Sequence, residues 1–332
     1  MQSVPPQFEV RFSTHRFQPG IVPDNGSLQF SPNDLAHALF TTGRAPGDQA
    51  RFGEASLWEL IHRASIIPAY IRRRPYGQLV RSSLVQLLDR SELVGVSYAL
   101  GMAMTAIFCR HQLSVIQLMH IDRYAGQYQV VFGSGRKRAD LIGPTINGWV
   151  VAEAKGRSRT AERELRTKLE DQKRSVLSVE GQPPWLALGC VAWFPAPEGG
   201  LRVDAFDPAE EEKEVESVRY DQIDLDRFLF AYYLPFVSAV DAGNPADDIA
   251  DPHNVEAADF GPIGITLGLL RPIADLTREY IGRDDMSGYA EQIREILLEQ
   301  SDVDSEANFP DGSMVLTNWA EPIQTRDVWI ER

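Results

Sequence analysis

The chain has little cysteine: Cys109 and Cys190 are the only two in 332 residues, each inside an apolar run (AIFCRH and LALGCVAWF). Thiols placed this way read as buried and free, with a bridge between them as the alternative. So few of them exclude a disulfide-stapled secreted scaffold. No stretch reaches the roughly 18 consecutive apolar residues that a membrane span requires, and the opening MQSVPPQFEV carries neither a basic segment nor an apolar core. Neither secretion nor membrane insertion is therefore expected, and the cytoplasm is the expected compartment. Histidine is scarce, at six, and none stands with cysteine at zinc-ligand spacing. The phosphate-loop, GxSxG and dinucleotide GxGxxG signatures are absent; GSGRKR at 133–138 lacks the Lys-Ser/Thr continuation. No internal repeat occurs.

What is abundant is acid, unevenly spread. Hydrophobic content of 43% and charge of 24% are those of a globular protein, and the net charge is −14. Residues 1–174 hold 23 Lys+Arg against 15 Asp+Glu, whereas residues 175–332 hold 10 against 32. Basic residues crowd one stretch of the first half: Arg136, Lys137, Arg138, Arg157, Arg159, Arg163, Arg166, Lys168, Lys173 and Arg174. A local positive field suits phosphate whatever the global sign. The alternative is a solvated helix laced with Glu/Arg pairs.

Within that stretch lies RKRADLIGPTINGWVVAEAKGR, residues 136–157. Asn147-Gly148 favours a tight two-residue turn, so ADLIG and GWVVAEAKG are predicted to form an antiparallel hairpin. On its second strand Glu153 and Lys155 share a face while Ala154 points the other way. Asp140 then sits beside that face on the neighbouring strand. Two carboxylates and an ammonium on one sheet surface are costly to bury, and a hard divalent cation such as Mg²⁺, which takes oxygen ligands, accounts for them.

An Asp on one strand with Glu-x-Lys on the next resembles the PD-(D/E)XK nuclease superfamily, the fold of many restriction endonucleases. Asp140, Glu153 and Lys155 fill its three positions, and Ala139 stands where the family has Pro. The resemblance spans residues 80–210 and implies an α/β fold: a restriction endonuclease-like mixed β-sheet core flanked by helices. It implies one or two Mg²⁺ (or Mn²⁺) ions on Asp140, Glu153 and the Ala154 carbonyl, and hydrolysis of phosphodiester bonds in DNA, with RNA as the alternative. Lys155 would orient or deprotonate the attacking water, or neutralise the transition state. The resemblance also adds Glu92 (Asp89 as fallback) on the helix before the first core strand, and Gln172 and Lys173 on the helix after the motif. Their structural alternatives are a helix-N-terminal acid for Glu92 and an exposed polar face for the other two. Arg136, Lys137, Arg138, Arg157, Arg159 and Lys173 are the expected nucleic-acid contacts. Restriction or antiviral defence and DNA repair are both compatible roles, and a homodimer would suit cutting of two strands. A catalytically inactive nuclease-fold module that binds nucleic acid or a protein is the competing reading. A further competing reading makes the acidic half a surface for a partner protein, or a DNA mimic that shields the basic half.

Three regions are expected: an N-terminal accessory region (1–78), the nuclease-like core (79–210), and an acidic, mainly helical extension packed on the core (211–332). The first holds a strand at FEVRFSTHRF, a helix capped at Ser31 and closed by Gly43, and a helix over 54–70 ending at Pro68. The triplet Arg72, Arg73, Arg74 reads as a soluble loop or a phosphate-contacting turn. The core holds a helix from Glu92 to Arg110 capped at Ser91, strands at 115–125, 127–140 and 149–155 as a meander, a helix over 160–179, and strands at 183–195 and 199–208. His120 reads as a core residue. The extension holds a core helix over 224–241, a mobile loop over 241–259, two helices within 261–300 and a terminal hairpin.

Overall fold

The computed structural model describes residues 7–43, 52–121, 139–158, 176–179, 184–207, 218–220, 224–246, 254–299 and 308–324. The chain divides into two compact units, one gathered from residues 1–42, 65–222 and 319–332, the other from 43–64 and 223–318. Through residue 220 the elements are β1 (Phe8–His15), β2 (Asn25–Phe30), α1 (Pro32–Thr41), α2 (Glu54–Tyr70), β3 (Ile71–Arg73), β4 (Leu79–Arg81), α3 (Arg90–Leu113), β5 (Met119–His120), β6 (Leu141–Thr145), β7 (Gly148–Arg157), β8 (Val176–Val179), β9 (Leu186–Trp193), β10 (Arg202–Phe206) and β11 (Val218–Tyr220).

The first unit is built on a seven-stranded sheet in the order β2-β1-β10-β9-β7-β6-β5. β1 runs parallel to β10 and β7 parallel to β9, while the other neighbours are antiparallel. The sheet is therefore mixed, in an α/β unit, as the sequence leads one to expect. Its alternation is clean on β1: Phe8, Val10 and Phe12 are buried, while Glu9 and Arg11 are exposed. The buried face packs on α3, where Phe12 meets Phe108 edge to face at 5.6 Å. That one side of a strand is apolar and the other polar is what a sheet with one face covered requires. β9, by contrast, is apolar almost throughout and lies between β7 and β10, as a central strand should.

Helix α3 is held at its start by Asp89, not Ser91. The Asp89 carboxylate accepts from the Ser91 and Glu92 amides at 2.7 and 3.0 Å, and Glu92 returns a bond from the Asp89 N–H at 3.0 Å. This reciprocal box satisfies helix-start donors that would otherwise be orphaned. By length and composition α3 is apolar enough to cross a bilayer, yet 72% of that stretch is buried inside the protein. Small side chains let it sit close to the sheet. A β-carbon on Gly156 of β7 would overlap the carbonyl oxygen of Ser97 and lie 3.1 Å from the Tyr98 nitrogen.

Several expectations are corrected in this unit. Residues 8–30, expected to be accessory, supply two strands of the main sheet. The β6–β7 turn is centred on Ile146 and Asn147, because Thr145 pairs with Gly148. Gly148 itself takes the positive φ, +126°, so Asn147 does not need one, and the Thr145 hydroxyl bridges the turn by donating to the Gly148 carbonyl at 2.7 Å. Residues 79–81, which open the helical period that the sequence shows over 79–110, are a strand, and α2 continues through Pro68 to Tyr70. Val176–Val179, expected to end a helix, is a strand parallel to β11; residues 160–175 lie outside the described residues. The middle strand of the expected meander also falls outside them up to 138, and the neighbour of β5 is β6.

The second unit contains α4 (Leu225–Ala242), β12 (Asn244–Pro245), β13 (Val255–Phe260), β14 (Ile265–Leu270), α5 (Arg271–Tyr280), α6 (Tyr289–Glu299) and β15 (Ser313–Thr317). The four strands form an antiparallel sheet in the order β12-β13-β14-β15. The acidic region is thus α+β where a mainly helical extension was expected. Part of the expected loop is β13, and ITLGLL is a strand rather than the start of a helix. In place of a terminal hairpin there are β15 and a short helix, α7 (Ala320–Gln324), which belongs with the first unit; residues beyond 324 lie outside the described residues. A buried acid organises the second unit: the Asp311 carboxylate accepts from the Tyr232 hydroxyl at 2.5 Å and the Ser313 amide at 3.0 Å, and its carbonyl accepts from Tyr233 at 2.9 Å.

Candidate functional site

The pairing of Leu141 with Ala152 brings Asp140, one residue before β6, opposite Glu153 on β7. Asp140 is fixed there by a backbone bond, the Ala154 N–H donating to its Oδ2 at 2.9 Å. In an extended strand a residue's N–H and C=O lie on one edge, so the Ala154 carbonyl is directed to the edge that carries Asp140. Lys155, two residues past Glu153 and on the same face, ion-pairs with Glu153 Oε1 and lies 3.7 Å from Asp140 Oδ2. Asp140, Glu153 and Lys155 are therefore one cluster, as their spacing predicts.

Its electrostatics are strained. The Glu153 side chain has no solvent exposure, and its second carboxylate oxygen, Oε2, has no hydrogen-bond partner among the described residues. A buried charged oxygen without a partner is expensive. Burial, reinforced by the Asp140 charge and opposed by Lys155, pushes the Glu153 carboxyl up to about 8. Burial also raises Asp140, against the pull of Lys155 and the Ala154 N–H. Two carboxyls side by side with one ammonium thus favour keeping a proton on the pair.

The donor set fits a hard divalent cation: two carboxylates, one with an unpartnered buried oxygen, and a backbone carbonyl on the same edge. Among the described residues no group of three or more His, Cys, Asp or Glu side chains is placed to form a complete metal cage. Two carboxylates with water and phosphate oxygens are a usual donor set for Mg²⁺.

The remaining expected residues are distributed differently. Glu92 is exposed and engaged in the α3 capping box, where its carboxylate serves the helix start. Asp89, its fallback, is the cap itself. Arg157 is exposed two positions beyond Lys155, on the same face of β7. Gln172, Lys173, Arg136, Lys137, Arg138 and Arg159 lie outside the described residues. His120 is buried in β5, consistent with a core role. Sequence reasoning missed Gly101 and Gly156, whose lack of side chains lets α3 hold the end of β7. The available signals were a Gly directly after Glu-x-Lys and a Gly in the small-residue stretch of α3.

Comparisons with family models, curated proteins and solved structures find no match for this chain.

Proposed function

We propose that the chain is a metal-dependent nuclease with a restriction endonuclease-like core, cleaving phosphodiester bonds in DNA, with RNA as the alternative substrate. The observation that carries this reading is the buried Oε2 of Glu153, without a hydrogen-bond partner among the described residues, beside Asp140 and Lys155. Asp140, Glu153 and the Ala154 carbonyl would hold Mg²⁺ or Mn²⁺. Such an ion, when bound, lowers the pKa of water and offsets charge on a phosphoryl group. A cation held there would supply Glu153 with the positive charge that Lys155 now supplies, and would leave the Lys155 ammonium available for other partners. The Lys155 ammonium, about a quarter exposed at 23%, can then face solvent and substrate. There it orients the attacking water by hydrogen bonding or stabilises the charge growing on phosphate. The Ala154 N–H keeps Asp140 in place throughout.

The test is cleavage of supercoiled plasmid and of single-stranded DNA and RNA by the full chain with Mg²⁺, Mn²⁺ or EDTA. Asp140→Ala should remove metal-dependent cutting while leaving the fold intact. A D140A protein that cuts at the wild-type rate would sink the proposal.

A further inference from the structure

Strand register extends the motif face of the sheet into a row of cationic and aromatic side chains. Arg157 on β7 pairs with Trp193 on β9, Trp193 pairs with Arg202 on β10, and Arg202 pairs with Arg11 on β1. Directly paired residues share a face, and Arg157 shares its face with Lys155 and Glu153. Neighbouring strands lie about 4.8 Å apart, so the row runs about 14 Å across the sheet, beginning two residues past Lys155.

The row is exposed and positively charged. Arg11, Arg157 and Arg202 are all exposed, and none is in an ion pair among the described residues. In a chain of net charge −14, three arginines outside ion pairs aligned on one face are a specific feature. Two acids, Asp204 and Glu9, stand two residues from Arg202 and Arg11 on the same face, and each is held by a neutral donor. Asp204 accepts from the Trp193 indole N–H at 2.9 Å and lies 4.0 Å from His15, while Glu9 accepts from Ser27 at 3.0 Å. The Asp204 bond fixes the Trp193 ring, and the Arg202 guanidinium lies 5.9 Å from its centroid.

Two depressions flank the Arg11–Arg202 pair, one of about 450 Å³ walled by Trp193 and one of about 500 Å³ walled by Tyr76. Tyr76 is 94% exposed and sits at φ 64°, ψ 24°, a left-handed conformation that residues other than Gly rarely adopt. An aromatic ring held out in water on such a backbone, beside two arginines, is a feature that packing does not explain.

We propose that this row is a track for a single nucleic-acid strand, with Arg11, Arg157 and Arg202 on its phosphates and Trp193 and Tyr76 on its base faces. A positive surface with interleaved aromatics is the arrangement that binds single strands without reading sequence. A duplex keeps its base faces stacked and could use only the arginines. The track's direction toward Glu153 and Lys155 rests on the nuclease reading, whereas the binding itself does not.

The experiment uses a fluorescein-labelled single-stranded oligonucleotide and the full chain in EDTA, so that binding is read without cutting, by anisotropy across a salt series. Arg11→Glu/Arg202→Glu should weaken binding at least thirty-fold and flatten the salt dependence by about one to two units of log–log slope. Tyr76→Ala, at a nearly fully exposed position, should weaken binding about ten-fold with little change in that slope. Arg283→Glu in the second unit should leave binding unchanged. The milder Arg11→Gln/Arg202→Gln pair repeats the test if charge reversal disturbs folding. Unchanged affinity in the folded arginine variants overturns the track, as does equal affinity for blunt duplex or for polyglutamate. Row-dependent binding without cutting in any metal keeps the track and removes the nuclease; cutting with row-independent binding does the reverse.

Discussion

Gly101 on α3 and Gly156 on β7 bring two backbones into direct contact: a β-carbon on Gly101 would lie 2.5 Å from the Gly156 nitrogen and 2.6 Å from the Lys155 carbonyl carbon. Neither neighbour is a side chain that could swing aside. The helix thereby fixes the strand at the residue that follows the catalytic candidate Lys155.

Gly156→Ala and Gly101→Ala should each destabilise the protein by about 1–3 kcal/mol or more, since overpacking here must move main chain. Cleavage should fall with them, because Lys155 shifts with its strand. Gly95→Ala on the same helix meets nothing within 4 Å and should be neutral or stabilising by up to about 1 kcal/mol. Urea midpoints of the three variants decide this.

The metal-free protein should lose stability as pH rises. Glu153 titrates near 4.5 when unperturbed and at about 8 in the fold, so the folded state binds its proton more tightly than the unfolded state does. Its contribution is fully present below about 4.5, declines between there and about 8, and is gone above, with a slope of at most about 1.4 kcal/mol per pH unit. Glu153→Gln should flatten this slope, and saturating Mn²⁺ should abolish it in the wild type. Urea unfolding from pH 5 to 9, in EDTA and in Mn²⁺, gives the comparison.

Lys155→Met should separate binding from chemistry. Removing an ammonium 3.7 Å from Asp140 and paired with Glu153 leaves both carboxyls without their counter-charge. Divalent cations should then bind several-fold more tightly, roughly the scale of one screened charge, while cleavage is lost. Calorimetric Mn²⁺ titration beside a nicking assay checks both halves. Weaker metal binding in this variant would contradict the proposed geometry.

Asp311→Ala should cost the second unit about 3 kcal/mol, because it strands the Tyr232 hydroxyl and the Ser313 amide that the buried carboxylate satisfies. The near-ultraviolet tyrosine signal should melt earlier, at a midpoint set by denaturant titration.

Local chemistry made the motif hairpin legible, though not the centre of its turn: short β-branched runs bounded by Gly and Pro and a two-residue spacing put Glu153 and Lys155 on one face. The same was true of the apolar strand at 186–193 and of the Ser31 cap on α1, which the structure shows as a capping box with Asp34. What could not be read was long-range pairing. β1 finds its partner β10 nearly two hundred residues later, and no periodicity in FEVRFSTH announces which strand will lie beside it. ITLGLL is apolar at every position, so its pattern fits a buried strand or a helix turn equally well. Glu92 follows Asp89 by three residues, which is the capping-box spacing; the family resemblance pointed instead to the metal site.

Cys109 and Cys190 are both fully buried and free, one on α3 and one on β9, and burial holds both thiols in their protonated form, Cys190 up to about 12. Reaction with a thiol reagent requires thiolate and access together. Each sulfur therefore stays unreactive until the helix lifts from the sheet. The chain carries its own clock for that opening: the rate at which an alkylating reagent modifies these two sulfurs, followed by mass, times how often the scaffold beneath Lys155 comes apart, without any engineered label.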